Sequence, residues 1–387
     1  MYFMKIKSPS SAIALAIFIS ELGSLATGCA SKQSQPSIQI DPPPANAVAN
    51  LLDDEINPIS AKSAFSPEEN ILAIDADMRY FVEENVPAAL NPRARLSYLL
   101  DAMVRPSQLG LSYDPGITFN ATETFYARKG NCLSLSSLFI ALAREANLNA
   151  YYNEVTIPPS WDMVSDNSMV FYKHINVVVD FGEDGQEIVD LSVDNYEYHY
   201  PQHRLSEQEA AAQHYNNRGA EFLNQGKNDE AMRYFHRALY LDPQAGHIWG
   251  NLGTLFRRLG HQQDAELAYR QALTLNINDQ VAISNLSRLY REQGDTGKAR
   301  ELEKVAEEFR KKNPFWHYTR AKAEYEKGEY ANALQAIKHA IALRKNEHRF
   351  YRFASLIYFR QGKRDLAATY AEKAAKLKVA SSANIEN

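Results

Sequence analysis

The sequence predicts two folded regions of different class: an α+β domain over residues 65–205 and an all-α repeat solenoid over residues 212–381. The first prediction depends on a long apolar helix that begins at a cysteine and is followed by β-patterned segments. The second depends on glycines and alanines that recur every 34 residues. We call the two regions the thiol domain and the solenoid. A chain of 387 residues is long enough to contain both.

The composition is ordinary for a globular protein, with 45% hydrophobic and 23% charged residues. The net charge of -5 conceals an asymmetry. Residues 1–211 contain 13 Lys/Arg and 27 Asp/Glu, a net charge of -14, whereas residues 212–387 contain 29 and 20, a net charge of +9. The basic half is either a solvated helical surface or a cleft for anionic partners. Because no nucleic-acid-binding motif accompanies this charge, we do not expect nucleic acid as a partner.

Residues 1–29 have the pattern of a secretory signal peptide. Lys5 and Lys7 precede an apolar core over residues 12–20, which is too short to span a bilayer. The segment 25–31, Leu-Ala-Thr-Gly-Cys-Ala-Ser, resembles the signal box of bacterial lipoproteins. The resemblance implies a lipid on Cys29 that anchors the chain in the cell envelope, facing the periplasm, and on the outer rather than the inner membrane because Ala30 follows. The alternative is an ordinary cleaved signal with an incidental cysteine.

A polar, proline-rich segment follows the predicted lipidation site. Residues 30–64 include Asp41-Pro42-Pro43-Pro44 and few large apolar side chains. This composition predicts a disordered tether that holds the folded regions away from the membrane. Ser66-Pro67-Glu68-Glu69 then has the residue types of a helix start.

The segment Arg128-Lys129-Gly130-Asn131-Cys132 predicts the start of the central helix of the thiol domain. Gly130 permits a tight entry, and Asn131 is a favourable N-cap residue. The helix from Cys132 to about Asn147 is apolar nearly all round, so it should be buried. A thiol at its first position experiences the positive end of the helix dipole, which favours the thiolate.

Three residues in this domain have the types required for nucleophilic catalysis: Cys132, His174 and Asp190. We predict strands over residues 150–157, 174–180 and 187–191, so that His174 begins one strand and Asp190 lies near the end of the next. A thiol nucleophile needs a base, and the base needs a partner that fixes its tautomer. Asp180 and Asp194 are alternative partners for the histidine.

Residues 128–151 resemble the core of the transglutaminase-like superfamily, which has the papain-like fold. The shared features are a Gly-x-Cys turn that opens a helix, a later histidine that begins a strand, and an aspartate that ends the next strand. The resemblance covers about residues 65–200 and implies that Cys132, His174 and Asp190 are catalytic residues. Many members have Trp two residues after the histidine, whereas this chain has Asn176.

The solenoid contains five units of 34 residues, at about 212–245, 246–279, 280–313, 314–347 and 348–381. One position of every unit is glycine: Gly226, Gly260, Gly294, Gly328 and Gly362. Alanines follow five residues later, at Ala231, Ala265, Ala299, Ala333 and Ala367. This pattern resembles the tetratricopeptide repeat, in which small residues lie where two antiparallel helices touch. The resemblance implies that the solenoid binds a protein or a peptide.

The function predicted from these observations is that of an envelope lipoprotein whose Cys–His–Asp domain acts on amide or acyl bonds of a peptide or protein. It would be a cysteine peptidase, an amidase or an acyl transferase. The alternative is a non-catalytic repeat scaffold with a degenerate transglutaminase-like domain. No cofactor or metal is expected. His199 and His203 could be taken as a metal-binding pair, but an aromatic linker packed between the two regions is the favoured interpretation.

Overall fold

The computed structural model describes residues 40–52, 70–156, 174–191 and 200–383. The predicted signal peptide and Cys29 lie outside these residues. The described part of the chain contains an α+β region followed by a series of paired helices. Among these helices none is both long enough and apolar enough to cross a membrane.

The thiol domain combines helices with a small antiparallel sheet. Its elements are α2 (Ala76–Asn85), α3 (Pro92–Val104), β1 (Ser112–Tyr113), α4 (Ala121–Ala127), β2 (Lys129–Gly130), α5 (Cys132–Glu145), β3 (Asn149–Val155), β4 (His174–Asp180), β5 (Gln186–Val189) and β6 (Gln202–Arg204). The main sheet has the order β5-β4-β3-β6, and β1 pairs with β2 in a separate parallel ladder. The short strand β6 was not predicted from the sequence.

Helix α5 is the centre of the thiol domain, as its apolar pattern predicts. Every residue from Leu133 to Ala143 is buried. The helix shares one hydrophobic cluster with α2, α3 and the sheet. Tyr152 of β3 is fully buried, and its hydroxyl lies 2.7 Å from Oγ of Ser137 on α5. This contact between polar groups ties the sheet to the helix within an otherwise apolar core.

The solenoid consists of five antiparallel helix pairs. The pairs are α6 (Glu207–Asn224) with α7 (Asn228–Leu241), α8 (Gly246–Arg258) with α9 (Gln262–Leu275), α10 (Gln280–Glu292) with α11 (Thr296–Lys312), α12 (Pro314–Glu326) with α13 (Tyr330–Leu343), and α14 (His348–Arg360) with α15 (Arg364–Ala383). The five repeated glycines, from Gly226 to Gly362, lie between the two helices of a pair with φ between 75° and 83°. This left-handed conformation explains why the position is glycine in every unit.

The predicted disordered tether differs from the structure over residues 40–52. This segment contains a short helix, α1 (Ala45–Asn50), that packs on α9 of the solenoid. Leu51 is only 3% exposed and belongs to the solenoid core. The Arg270 guanidinium donates hydrogen bonds of 3.1 and 2.7 Å to the carbonyl oxygen of Asp41. Burial of a few apolar side chains therefore orders a segment whose overall composition is typical of disorder.

The predicted helix start at residues 66–69 lies outside the described residues. The next described helix, α2, begins only at Ala76, because Asp75 accepts a hydrogen bond from the backbone N–H of Met78 and caps it. Upstream of α2, the side chain of Asn70 accepts a hydrogen bond from Leu72 N–H and stabilises a turn. Ile71 and Leu72 are buried from this turn and do not belong to a helix.

Candidate functional site

The N-terminus of α5 is held by local contacts around Gly130 and Asn131. A Cβ atom at position 130 would lie 2.5 Å from Cβ of Ser134, so only glycine fits there. The Asn131 side chain accepts a hydrogen bond of 3.0 Å from Ser134 N–H and caps the helix, as predicted. Because this cap is made to the third residue of the helix, it leaves the first amides, those of Cys132 and Leu133, directed out of the helix end.

The structure brings together the three predicted site residues. His174 is the first residue of β4, opposite Val155 of β3, and Asp190 follows the end of β5. Nε2 of His174 lies 2.5 Å from Oδ2 of Asp190, and both side chains are about nine-tenths buried. The thiol of Cys132, a free and partly exposed cysteine, lies near enough to the imidazole to raise its pKa.

The surroundings of His174 favour the charged imidazolium. Burial by itself lowers the pKa of His174, but the hydrogen bond to Asp190 and the interaction with Cys132 outweigh it and raise the pKa to about 10. A proton held on the imidazole beside the partly exposed thiol places an acid next to a nucleophilic sulfur. The arrangement can therefore supply both a nucleophile and an acid.

A row of side-chain amides continues from Asp190 across the sheet. Nδ2 of Asn176 lies 3.4 Å from Oδ2 of Asp190, and Oδ1 of Asn176 accepts a hydrogen bond of 2.7 Å from Asn153. Asn153 also donates to Oε1 of Gln202 on β6, at 2.8 Å. Sequence reasoning identified Asn176 only as a departure from the family pattern. Its alternation with His174 along β4 was the available signal, because residues two apart share one face of a strand.

The other candidates occupy different places. Asp180 is the last residue of β4, at the opposite end from His174, and its side chain accepts a hydrogen bond of 2.9 Å from Gly182 N–H. Asp194 and His199 lie outside the described residues. His203 is exposed on β6, where it pairs with Glu154 of β3. Within the described ranges no group of three or more His, Cys, Asp or Glu side chains converges in a way that could hold a metal ion.

Comparison with known proteins concerns the solenoid. Models of the tetratricopeptide repeat match residues 212–244, 246–278 and 318–383. No curated protein sequence matches the chain. Among solved structures, MamA (residue 41 to end) from Desulfovibrio magneticus RS-1 is 18% identical, covering 44% of this chain and 96% of that chain with a TM-score of 0.25. PilF from Pseudomonas aeruginosa is 17% identical, covering 44% and 78% with a TM-score of 0.27.

The repeat prediction is confirmed by the family models and agrees with the paired helices. Two of the matches begin at residues 212 and 246, where the sequence places the first two units, and the third begins at residue 318, inside the predicted fourth unit. These matches do not extend to the thiol domain. The helical region after residue 206 is therefore a solenoid of tetratricopeptide repeats, a type of repeat that serves as a protein-binding scaffold.

Proposed function

We propose that Cys132, His174 and Asp190 form a thiol active site that acts on an amide or acyl bond of a peptide or protein, in a domain of the transglutaminase-like type. The observation that supports this most directly is the position of His174. Its imidazole lies 2.5 Å from a carboxylate, and its pKa is raised by the neighbouring Cys132, the only thiol among the described residues. A base that lies between a nucleophile and an orienting carboxylate is the arrangement that nucleophilic catalysis requires.

In the proposed reaction the Cys132 sulfur attacks the carbonyl carbon of the substrate. The tetrahedral intermediate collapses when His174 donates its proton to the leaving amine, which leaves a thioester on the sulfur. Water or an acceptor amine then attacks the thioester, gives its proton to His174 and releases the acyl group. Asp190 remains ionised and holds the imidazole in position throughout.

The first amides of α5 are suited to stabilise the negative charge that develops on the substrate oxygen. The Asn131 cap engages Ser134 N–H and does not occupy the amides of Cys132 and Leu133. Both lie at the positive end of the α5 dipole, next to the sulfur. Donors fixed in this way act without reorganisation when the charge forms.

The solenoid would bring a protein partner or substrate to this site. An alternative function is a repeat scaffold in which the thiol domain is not catalytic. One observation favours that alternative, namely that the family models match only the solenoid. The two functions differ in whether the Cys132 thiol is activated.

We further propose that the chain is anchored in the bacterial envelope by a lipid on Cys29, on the periplasmic side and in the outer membrane. The support is the segment Leu25 to Ser31, which resembles a lipoprotein signal box. Cys29→Ala should release the protein from the membrane fraction of the expressing bacterium. A variant that stays membrane-bound would contradict the lipid anchor.

The activated thiol can be tested by alkylation of the full chain that carries Cys29→Ser, because Cys132 is then its only cysteine. We expect iodoacetamide at pH 6.5 to modify Cys132 about tenfold faster than free cysteine, which is mostly protonated at that pH. His174→Ala should abolish the difference. His203 is an exposed histidine of the same sheet, so His203→Ala should leave the alkylation rate unchanged.

The acyl-transfer step can be tested with p-nitrophenyl acetate. The thiolate should displace p-nitrophenolate and keep the acetyl group, which intact-mass spectrometry detects as a thioester adduct on Cys132. Cys132→Ser and His174→Ala should not form this adduct at a comparable rate. If the starting protein alkylates no faster than free cysteine and forms no adduct, the scaffold function is the correct one.

A further inference from the structure

A pair of charged side chains on the first solenoid helix contacts the loop between β1 and α4. Thr118 in this loop is only 1% exposed. Its backbone N–H donates a hydrogen bond of 2.8 Å to Oε1 of Glu221, and its carbonyl oxygen accepts one of 3.2 Å from Nη1 of Arg218. Arg218 and Glu221 are three residues apart on α6, so they lie on the same face of the helix. Together they bind both backbone polar groups of one buried residue.

The third polar group of Thr118 is its side-chain hydroxyl, which is hydrogen-bonded to Asn131, the N-cap of the helix that begins at Cys132. Its hydroxyl oxygen accepts a buried hydrogen bond of 2.8 Å from Nδ2 of Asn131. Oδ1 of Asn131 accepts a hydrogen bond from Ser134 N–H. The Ser134 hydroxyl in turn accepts a hydrogen bond of 2.8 Å from Phe119 N–H. The contacts thus run without a gap from the solenoid helix, through Thr118, to the N-terminus of α5.

The repeat pattern shows that Glu221 is a departure from the other units, and that Arg218 departs from the next two units, although the fourth unit also has an arginine, Arg320, at the position of Arg218. The positions that correspond to Arg218 in the next two units are Leu252 and Leu286, and those that correspond to Glu221 are Leu255 and Leu289. All four leucines are at most 1% exposed, as expected where stacked units pack against each other. Two charged residues at such positions would be costly unless they found polar partners.

The partners are supplied by the thiol domain, which takes the place of a preceding repeat. Ala210 of α6 is fully buried in the hydrophobic cluster of the thiol domain. Gln213 of the same helix donates a buried hydrogen bond of 2.7 Å to Glu154 of β3. The contact between the two regions is therefore continuous along α6, and it combines apolar burial with hydrogen bonds.

We propose that Arg218 and Glu221 are positioning residues for the Cys132 thiol, so that the first repeat forms part of the scaffold of the active site. The inference rests on the proposed function of Cys132. The two residues hold Thr118, Thr118 holds the Asn131 side chain, and Asn131 sets the direction of the first amides of α5. Without Glu221 the buried N–H of Thr118 loses its acceptor, and the loop must move to find another.

The test uses the full chain with Cys29→Ser and compares Glu221→Ala with Glu221→Gln. Two quantities are measured: the alkylation rate of Cys132 by iodoacetamide and the hydrogen exchange of backbone amides in residues 117–134. We expect Glu221→Ala to slow alkylation roughly tenfold, because small displacements of a reacting group have large effects on rate. The same variant should raise exchange in this segment. Glu221→Gln should restore both, because its amide carbonyl can still accept from Thr118 N–H.

Glu266→Ala is the matched control. Glu266 is also a half-buried carboxylate of the solenoid, but it accepts its hydrogen bond of 3.0 Å from the Tyr290 hydroxyl, within the repeats. This variant should change neither quantity. If Glu221→Ala does not fold, Arg218→Met keeps the packing of a long side chain over Phe222, removes the donor to Thr118, and should give a smaller effect of the same sign.

Two failures can be told apart. The positioning inference is overturned if Glu221→Ala, or Arg218→Met in its place, leaves hydrogen exchange in residues 117–134 the same as in the starting protein. This holds whether or not the thiol is activated. A starting protein whose Cys132 alkylates no faster than free cysteine overturns the proposed function. In that case raised exchange with rescue by Glu221→Gln would still show that the first repeat holds the N-terminus of α5.

Discussion

The two regions of the chain are held together in different ways. In the solenoid the same contact recurs from unit to unit: a Cβ atom on Gly219 would lie 2.7 Å from the ring of Phe235, and one on Gly253 would lie 2.8 Å from the ring of Tyr269. In the thiol domain each contact at the candidate site occurs once, such as that between His174 and Asp190. Stability in the solenoid is a sum over similar units, whereas the site depends on individual hydrogen bonds.

Two buried histidines illustrate the same contrast. His174 has a carboxylate within 2.5 Å and retains its proton. His214, on α6 of the solenoid, is 3% exposed and edge-on to the ring of Tyr215. Burial, with a smaller effect from Arg218, lowers its pKa to about 4, so it is neutral. The carboxylate of Asp190 thus accounts for the difference between the charged histidine at the site and the neutral histidine packed in the solenoid.

The largest expected effect is loss of a ring that packs between the helices of a unit. Phe235 is fully buried, and Phe235→Ala should lower the free energy of unfolding by about 3–5 kcal/mol. The measurement is chemical denaturation followed by circular dichroism. Phe359→Ala is the control: that ring is 60% exposed and its loss should cost less than about 0.5 kcal/mol. Equal effects for the two rings would contradict the packing assigned to the repeats.

The next effect is a dependence of stability on pH that comes from His174. Its pKa is about 10 in the folded protein and 6.5 in an unfolded chain, so the folded state binds the proton more tightly. The contribution is complete below pH 6.5 and is lost as the pH rises toward 10. We expect a loss of about 1.5–3 kcal/mol, the range for a hydrogen bond to a charged group. Denaturation at pH 6, 8 and 10 should show this loss in the starting protein and not in Asp190→Asn.

His214 provides the opposite dependence and so sharpens the comparison. Its folded pKa of about 4 lies below the unfolded value of 6.5, so the unfolded chain binds the proton more tightly. Stability should therefore fall as the pH drops from 6.5 toward 4. His214→Gln should reduce this acid sensitivity and leave the alkaline loss unchanged. If a single histidine variant removed both, the two sites would not be independent.

A smaller effect is expected at the entry to α5. Gly130→Ala places a Cβ atom 2.5 Å from Cβ of Ser134, and overpacking of this kind should cost about 1–3 kcal/mol. Because Ser134 also accepts a hydrogen bond from Phe119, the displacement should reach the site and slow Cys132 alkylation. The stability of the solenoid, measured by hydrogen exchange of backbone amides in residues 246–383, should be unchanged. An alkylation rate equal to that of the starting protein would contradict this prediction.

The smallest effect is a gain. A Cβ atom on Gly250, in the middle of α8, meets no atom within 4 Å. Gly250→Ala should therefore raise the free energy of unfolding by about 0.5–1 kcal/mol, through the higher helix propensity of alanine. Thermal denaturation measures the gain. A destabilised variant would show that this face of α8 is closer to its neighbours than the structure indicates.

Much of the fold could be predicted because its signals are local. The turn glycines follow from one backbone angle that recurs every 34 residues, and the start of α5 follows from Asn131 beside Cys132. The helix at residues 45–50 and the strand β6 were missed because both are short and depend on a neighbouring surface for their order. The strand pattern favoured Asp190 as the partner of His174, with Asp180 and Asp194 as alternatives, because Asp180 ends the histidine's own strand.

By itself the sequence determined the repeat solenoid, the cysteine at a helix N-terminus and the presence of a histidine and an aspartate on successive strands. Tertiary structure alone decided that Asp190 contacts His174, that Asn176 and Asn153 extend this contact, and that Glu221 binds Thr118. These last two residues are 103 positions apart, and contacts at such separations leave no periodic trace. The physical reason is that a helix or turn depends on neighbours in the chain, whereas a site depends on which surfaces the folded chain brings together.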